Sequence, residues 1–149
     1  MTPLYLDTGL VLKLVISEPL SPVVRDYIAK QRSPIWFPTL VNLEVENALQ
    51  ALRFRRQLTA VQLAKARNQI EQMKDDGKLV APVLSMDAMA EEMLRLTPSI
   101  TSRTGCRTLD LLHIAAARLL PSPKFVSTDK RQLAAAKLAG LTTVDLTPR

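Results

Sequence analysis

Short strand-forming runs alternate with longer helical patterns along the whole chain, and that alternation is the tightest constraint on its fold. Leu4–Leu6 reads as a strand, followed by a short helix over Leu10–Ile16 that Glu18, Pro19 and Pro22 break. Pro22–Gln31 predicts a second helix with proline in its first turn, where a missing N–H costs little. Ile35–Phe37 predicts a strand. Thr39 is expected to cap a long helix to about Arg55, and Thr59 another ending near Gly77. Leu79–Val83 predicts a strand, Asp87 the cap of a helix to about Leu96, and Thr97–Arg107 a loop. The pattern closes with a helix over Thr108–Leu119, a strand at Lys124–Ser127, a helix over Arg131–Ala139 ended by Gly140, and a strand at Thr142–Leu146. Strands that alternate with helices build an α/β domain around a mainly parallel sheet. Ligands of such sheets bind outside the carboxyl ends of the strands.

With 149 residues, one domain over 1–149 is expected, and 47% hydrophobic residues can fill its core. No apolar stretch approaches the roughly 20 residues a membrane helix needs. The N-terminus shows no basic start, apolar stretch and small-residue cleavage site, so an unexported, cytoplasmic protein is expected. Cys106 is the single cysteine, which excludes an internal disulfide and suits a reducing compartment.

One histidine, His113, excludes zinc sites built on two or three histidines, and no phosphate-binding glycine loop is present. A catalytic centre would therefore rest on carboxylates. The net charge of +6 favours a polyanionic partner, because Lys and Arg neutralise phosphates and release counterions.

Four of the 14 acidic residues stand where a solvated charge is not expected. Asp7 ends the first strand and Asp129 the run KFVST; either could equally cap the helix that follows. Glu44 is placed by stepping about 100° per residue along its helix. Asn42, Glu46, Gln50 and Arg53 share a polar arc, whereas Glu44 falls among Leu40, Ala48 and Ala51. A carboxylate on an apolar face is costly unless it is paired or binds a metal. Asp110 lies in the first turn of RTLDLLHIAAARLL, a helix apolar on nearly every side and so expected to be central. The helix dipole favours an anion there, and His113 one turn on is within reach of Asp110.

Brought to one sheet edge, these carboxylates would repel; a pair about 4 Å apart costs about 4 kcal/mol at an effective dielectric of about 20. Hard oxygen donors without histidine partners suit Mg²⁺ or Mn²⁺. Such an ion activates water and offsets the charge that develops on a phosphodiester, so metal-dependent phosphodiester hydrolysis is the expected chemistry.

In order and spacing, YLDTGLVLKL, TLVNLEVENAL, RTLDLLHIAAA and FVSTDKRQLAAA resemble the PIN-domain ribonucleases, closest to toxins of the VapC type. The resemblance implies a three-layer α/β/α fold with Mg²⁺ or Mn²⁺ held among acidic side chains. It implies endonucleolytic cleavage of RNA (tRNA, rRNA or mRNA), a homodimer, and inhibition by a cognate antitoxin. The family's acidic positions carry over to Asp7, Glu44, Asp110 and Asp129, with Thr8, Ser127 and Thr128 as supporting hydroxyls. Gly9 stands where the family often has Ser or Asn, and Ser127 where it often has Thr. Arg103, Arg107, Lys130 and Arg131 are candidates for phosphate contacts, or are solvated surface charges. The alternative to a nuclease is a non-catalytic PIN-like module that binds RNA or protein.

Overall fold

The computed structural model describes residues 1–121 and 124–149. Its elements in chain order are β1 (Tyr5–Leu6), α1 (Thr8–Val15), α2 (Ser21–Gln31), β2 (Ile35–Trp36), α3 (Thr39–Phe54) and α4 (Ala60–Asp75). β3 (Leu79–Val80), α5 (Met86–Thr104), α6 (Thr108–Arg118), β4 (Lys124–Ser127), α7 (Lys130–Leu138) and β5 (Thr142–Asp145) follow. β1 pairs with β4 and β4 with β5, all parallel. β2 pairs parallel with β3 and meets β1 through a parallel bridge from Leu4 to Ile35. The strands thus run in the order β3-β2-β1-β4-β5. Because β1 is followed spatially by β2 on one side and β4 on the other, its carboxyl end is the point where the winding reverses.

Strand-forming residues occupy the middle of the sheet because both its faces are covered. Tyr5, Leu6, Phe125 and Val126 are fully buried, and the rings of Tyr5 and Phe125 stack at 5.6 Å. Helices α1 to α4 pack on one another, and α5 to α7 form a second group. The result is the expected three-layer α/β/α sandwich. Within the second group Leu111, Ile114, Ala115, Ala116 and Ala117 bury α6, although Leu109 in its first turn is exposed. No helix of the described residues is long and apolar enough to cross a membrane.

Four local expectations are corrected. Thr97–Arg107 is not a loop: α5 runs on through Pro98 to Thr104 and ends at Gly105 in the left-handed conformation. Buried Met89, Leu96 and Ile100 keep a continuous stripe at helical spacing, so burial overrides a turn-like composition. Pro98 lies on the exposed face, where water can satisfy the carbonyl its missing N–H leaves free. Ser85, not Asp87, caps α5, its hydroxyl accepting from the Ala88 N–H at 3.0 Å. Pro38 rather than Thr39 precedes α3 as its cap residue. Thr59 does cap α4, in a reciprocal box with Gln62. β3 stops at Val80, ahead of Pro82.

Candidate active site

The expected acidic residues meet at the carboxyl end of β1. Asp7, Thr8, Gly9, Glu44, Asp110, His113, Asp129 and Gln132 line one open cleft of about 250 Å³. Each arrives by a different route. The Asp7 N–H still bonds the Val126 carbonyl at 3.1 Å, so its side chain leaves β1 where the ladder ends. Asp110 is in the first turn of α6 and Asp129 caps α7, which places both beside β4. Glu44 reaches in from α3 across the sheet edge.

Two of the carboxylates also cap helices, as their alternative readings allowed. Asp7 Oδ1 accepts from the Leu10 N–H at 2.8 Å, while Asp7 Oδ2 accepts from the Ser127 hydroxyl. Burial pushes the Asp7 carboxyl above its ordinary range; Ser127, the Leu10 N–H, and nearby charge on His113 and Lys13 oppose this without cancelling it. Asp129 Oδ1 accepts from the N–H groups of Arg131 at 2.9 Å and Gln132 at 3.1 Å.

Ser127 is fully buried and also accepts from the Asp129 N–H at 3.0 Å. Its oxygen lies 3.1 Å from the side-chain amide of buried Gln132. A single hydroxyl proton cannot serve both Asp7 and a Gln132 oxygen. Turning the Gln132 amide so that its NH₂ faces Ser127 satisfies all three contacts.

Asp110 is half-buried and has no hydrogen-bond or ion-pair partner among the described residues. Burial raises its carboxyl above the ordinary range, the charge of Asp129 adds to this, and Glu44 adds less; His113 and Arg107 pull the other way.

Glu44 is held differently. Its Oε1 accepts from the Thr8 hydroxyl at 3.1 Å and pairs with His113 Nε2. Burial alone would raise this carboxyl, but the His113 hydrogen bond, charge on His113 and the Thr8 hydroxyl together hold it below the usual range. His113 is not the partner of Asp110 that its position one turn on suggested. Its Nδ1 meets the Tyr5 hydroxyl at 2.7 Å and its Nε2 meets Glu44, so both ring nitrogens are taken. Tyr5 is a fully buried residue of the central strand β1 and is not singled out in the sequence; a polar-tipped residue in an otherwise apolar strand is the available signal.

The other candidates lie outside the cleft. Thr128 uses its carbonyl to accept from the Thr147 hydroxyl at 3.3 Å, and its side chain does not line the cleft. Arg103, Arg107, Lys130 and Arg131 are exposed around the α6 and α7 starts. Of these, Arg107 is near enough to Asp110 to lower its proton affinity.

The donor set fits a hard divalent cation. Among the described residues no Lys or Arg forms an ion pair with Asp7, Glu44, Asp110 or Asp129. Negative charge therefore exceeds positive charge in the cleft. Among the described residues no three acidic, histidine or cysteine side chains stand close enough to form a ready metal site. Mg²⁺ needs less, since it keeps several waters and takes only one or two carboxylates directly.

A parallel α/β/α domain with an acidic cleft at the switch point of its sheet carries its acidic residues where ligands of such sheets bind. The model of the PIN domain family matches residues 4–138, and the chain belongs to that family. PIN domains are generally nuclease modules, typically dependent on divalent metal ions. Among curated proteins no relative matches.

Proposed function

We propose that this chain is a Mg²⁺- or Mn²⁺-dependent endoribonuclease and the toxin of a VapC-type toxin–antitoxin pair, acting in the cytoplasm. The observation that carries the metal-dependent hydrolysis is the convergence of Asp7, Glu44, Asp110 and Asp129 on one cleft without a Lys or Arg ion pair among the described residues. The toxin role, the RNA substrate, a homodimer and an antitoxin partner rest on the sequence resemblance.

Asp7 and Asp110 would hold the cation directly, because burial disfavours the charge of both and Asp110 is also repelled by Asp129 and, less, by Glu44. Glu44 and Asp129 would complete the shell directly or through water. Once bound, the ion lowers the pKa of a coordinated water and neutralises charge developing on the phosphate. Ser127 and the Leu10 N–H fix the direction of the Asp7 carboxylate, and Thr8 and His113 fix that of Glu44. Arg103, Arg107, Lys130 and Arg131 flank the cleft and supply positive charge for the RNA backbone on either side of the scissile bond.

The test is RNA-end sequencing after induced expression, with purified protein assayed on RNA in Mn²⁺ or Mg²⁺ and Asp7→Asn as control. New 5′ ends that require both the metal and Asp7 support the reading. Purified protein that binds RNA but cleaves none in either metal supports the non-catalytic module instead.

A further inference from the structure

The cleft, the two larger grooves beside α2 and α4, buried Cys106 and the exposed apolar side chains of α3 and α5 differ in what they disclose. The chain of contacts behind Glu44 is the most informative, because every polar atom in it is directed. Glu44 needs a donor, so His113 Nε2 carries the proton. The Tyr5 hydroxyl is buried and His113 Nδ1 is its hydrogen-bond partner among the described residues: it donates to Nδ1 of a neutral ring and accepts from the Nδ1–H of a charged one. In either state the imidazole is held between Tyr5 and Glu44, with Nε2–H toward the carboxylate.

We propose that Tyr5 and His113 are positioning residues that make Glu44 a one-oxygen ligand, an inference that rests on the metal-dependent reading above. Glu44 Oε1 already accepts from both His113 and Thr8, while Oε2 has no hydrogen-bond partner among the described residues. Oε2 is therefore the oxygen that Glu44 would offer a cation. His113 is 2% exposed and Tyr5 is fully buried, so neither touches RNA. The imidazole is held edge-on to the Tyr5 ring, with centroids 5.9 Å apart and planes at 72°, which fixes its rotation. Oriented partners behind a metal ligand are worth about 10–100-fold in metal affinity or activity.

The experiment compares His113→Leu, His113→Gln and Tyr5→Phe with the wild type. Mn²⁺ affinity is read by calorimetry, kcat and KM on one RNA, and the metal-free melting temperature as a fold control. His113→Leu should weaken Mn²⁺ binding and kcat by about 10–100-fold with KM for RNA unchanged. His113→Gln, which can still present an amide N–H to Oε1, should recover most of the loss. Tyr5→Phe should fall between, because the freed Nδ1 lets the imidazole adopt the other tautomer. If His113→Leu does not fold, the Tyr5→Phe and His113→Gln arms decide. Equal losses in all three that track melting temperature overturn the proposal, as do unchanged Mn²⁺ affinities. A wild type that binds Mn²⁺ yet cleaves no RNA defeats the nuclease reading while the affinity arm still judges the positioning role. A wild type that binds no Mn²⁺ overturns both.

Discussion

Ser127 donates its hydroxyl proton to Asp7 across the β1–β4 pair, joining residues 120 positions apart at the point where both strands leave the sheet. The contact gives a buried serine its acceptor and fixes one oxygen of the Asp7 carboxylate. Ser127→Ala leaves Asp7 Oδ2 without that donor and should cost about 1–3 kcal/mol of stability, the usual penalty of an unsatisfied buried group. Cleavage should fall with it, and Ser127→Thr should keep both. Denaturant unfolding and initial rates on RNA check this; an alanine variant with wild-type stability and rate would show the contact to be idle.

Asp7→Asn and Asp110→Asn should abolish metal-dependent cleavage while keeping or raising metal-free stability. Asparagine caps a helix about as well as aspartate, so α1 retains its first turn when Asp7 is replaced. What is lost is a charge that its surroundings disfavour. A metal-free melting temperature several degrees below wild type in both variants would contradict the claim that their surroundings disfavour these charges.

The pH dependence follows from the same two groups. Their folded proton affinities are raised, so their contribution to stability is full below the ordinary carboxylate range and is lost as pH rises through the folded values. Glu44 is held low and acts oppositely: its contribution is present above the ordinary range and lost only as pH falls through its folded value. The metal-free melting temperature should therefore rise as pH falls from neutral through the raised values of Asp7 and Asp110, and decline in stronger acid as Glu44 takes up its proton. Mn²⁺ should flatten the first limb by taking the place of the protons. A melting temperature that falls steadily from neutral pH in the metal-free chain would refute the assignment.

How far the sequence foretold this site depends on the range over which each residue acts. Asp7, Asp110 and Asp129 were legible because strand ends, first helical turns and caps are local features. Glu44 was legible from helical phase, and its separation from Glu46 holds: Glu46 pairs with Arg67 on α4, outside the cleft. The true partner of His113 was not legible, since it lies 69 residues away on another helix while Asp110 stands one turn off. The run TPSITSRT looked like a loop because proline and hydroxyl residues are weighed locally, whereas burial of Leu96 and Ile100 is tertiary. Buried Glu92, ion-paired to Arg95 and Arg118 and far from the site, carried no local mark that set it apart from solvated acids.

Glu44→Gln and Glu46→Gln separate the two faces of α3 directly. The first loses the charge that Thr8 and His113 hold in the cleft and should lose most cleavage. The second breaks a solvent-exposed ion pair on the opposite face and should cleave near the wild-type rate. Parallel rate measurements at saturating Mn²⁺ decide it, and equal effects would sink the helix-face assignment.

Gly9→Ala tests how tightly the cleft is packed around Asp7. Gly9 lines the cleft within the first turn of α1, and its φ is not in the left-handed region, so alanine meets no backbone strain there. Alanine favours helix over glycine by up to about 1 kcal/mol, which should raise the melting temperature slightly. The new Cβ, however, would lie 3.3 Å from Asp7 Oδ1, closer than it can sit comfortably. Leu10 and Ser127 each hold one oxygen of that carboxylate, so it cannot turn aside without giving up a hydrogen bond. The variant should therefore be more stable yet weaker in Mn²⁺ binding and slower on RNA. Melting curves, calorimetry and cleavage rates taken together check this; gains in stability and rate alike would show that Asp7 has room the hydrogen bonds do not suggest.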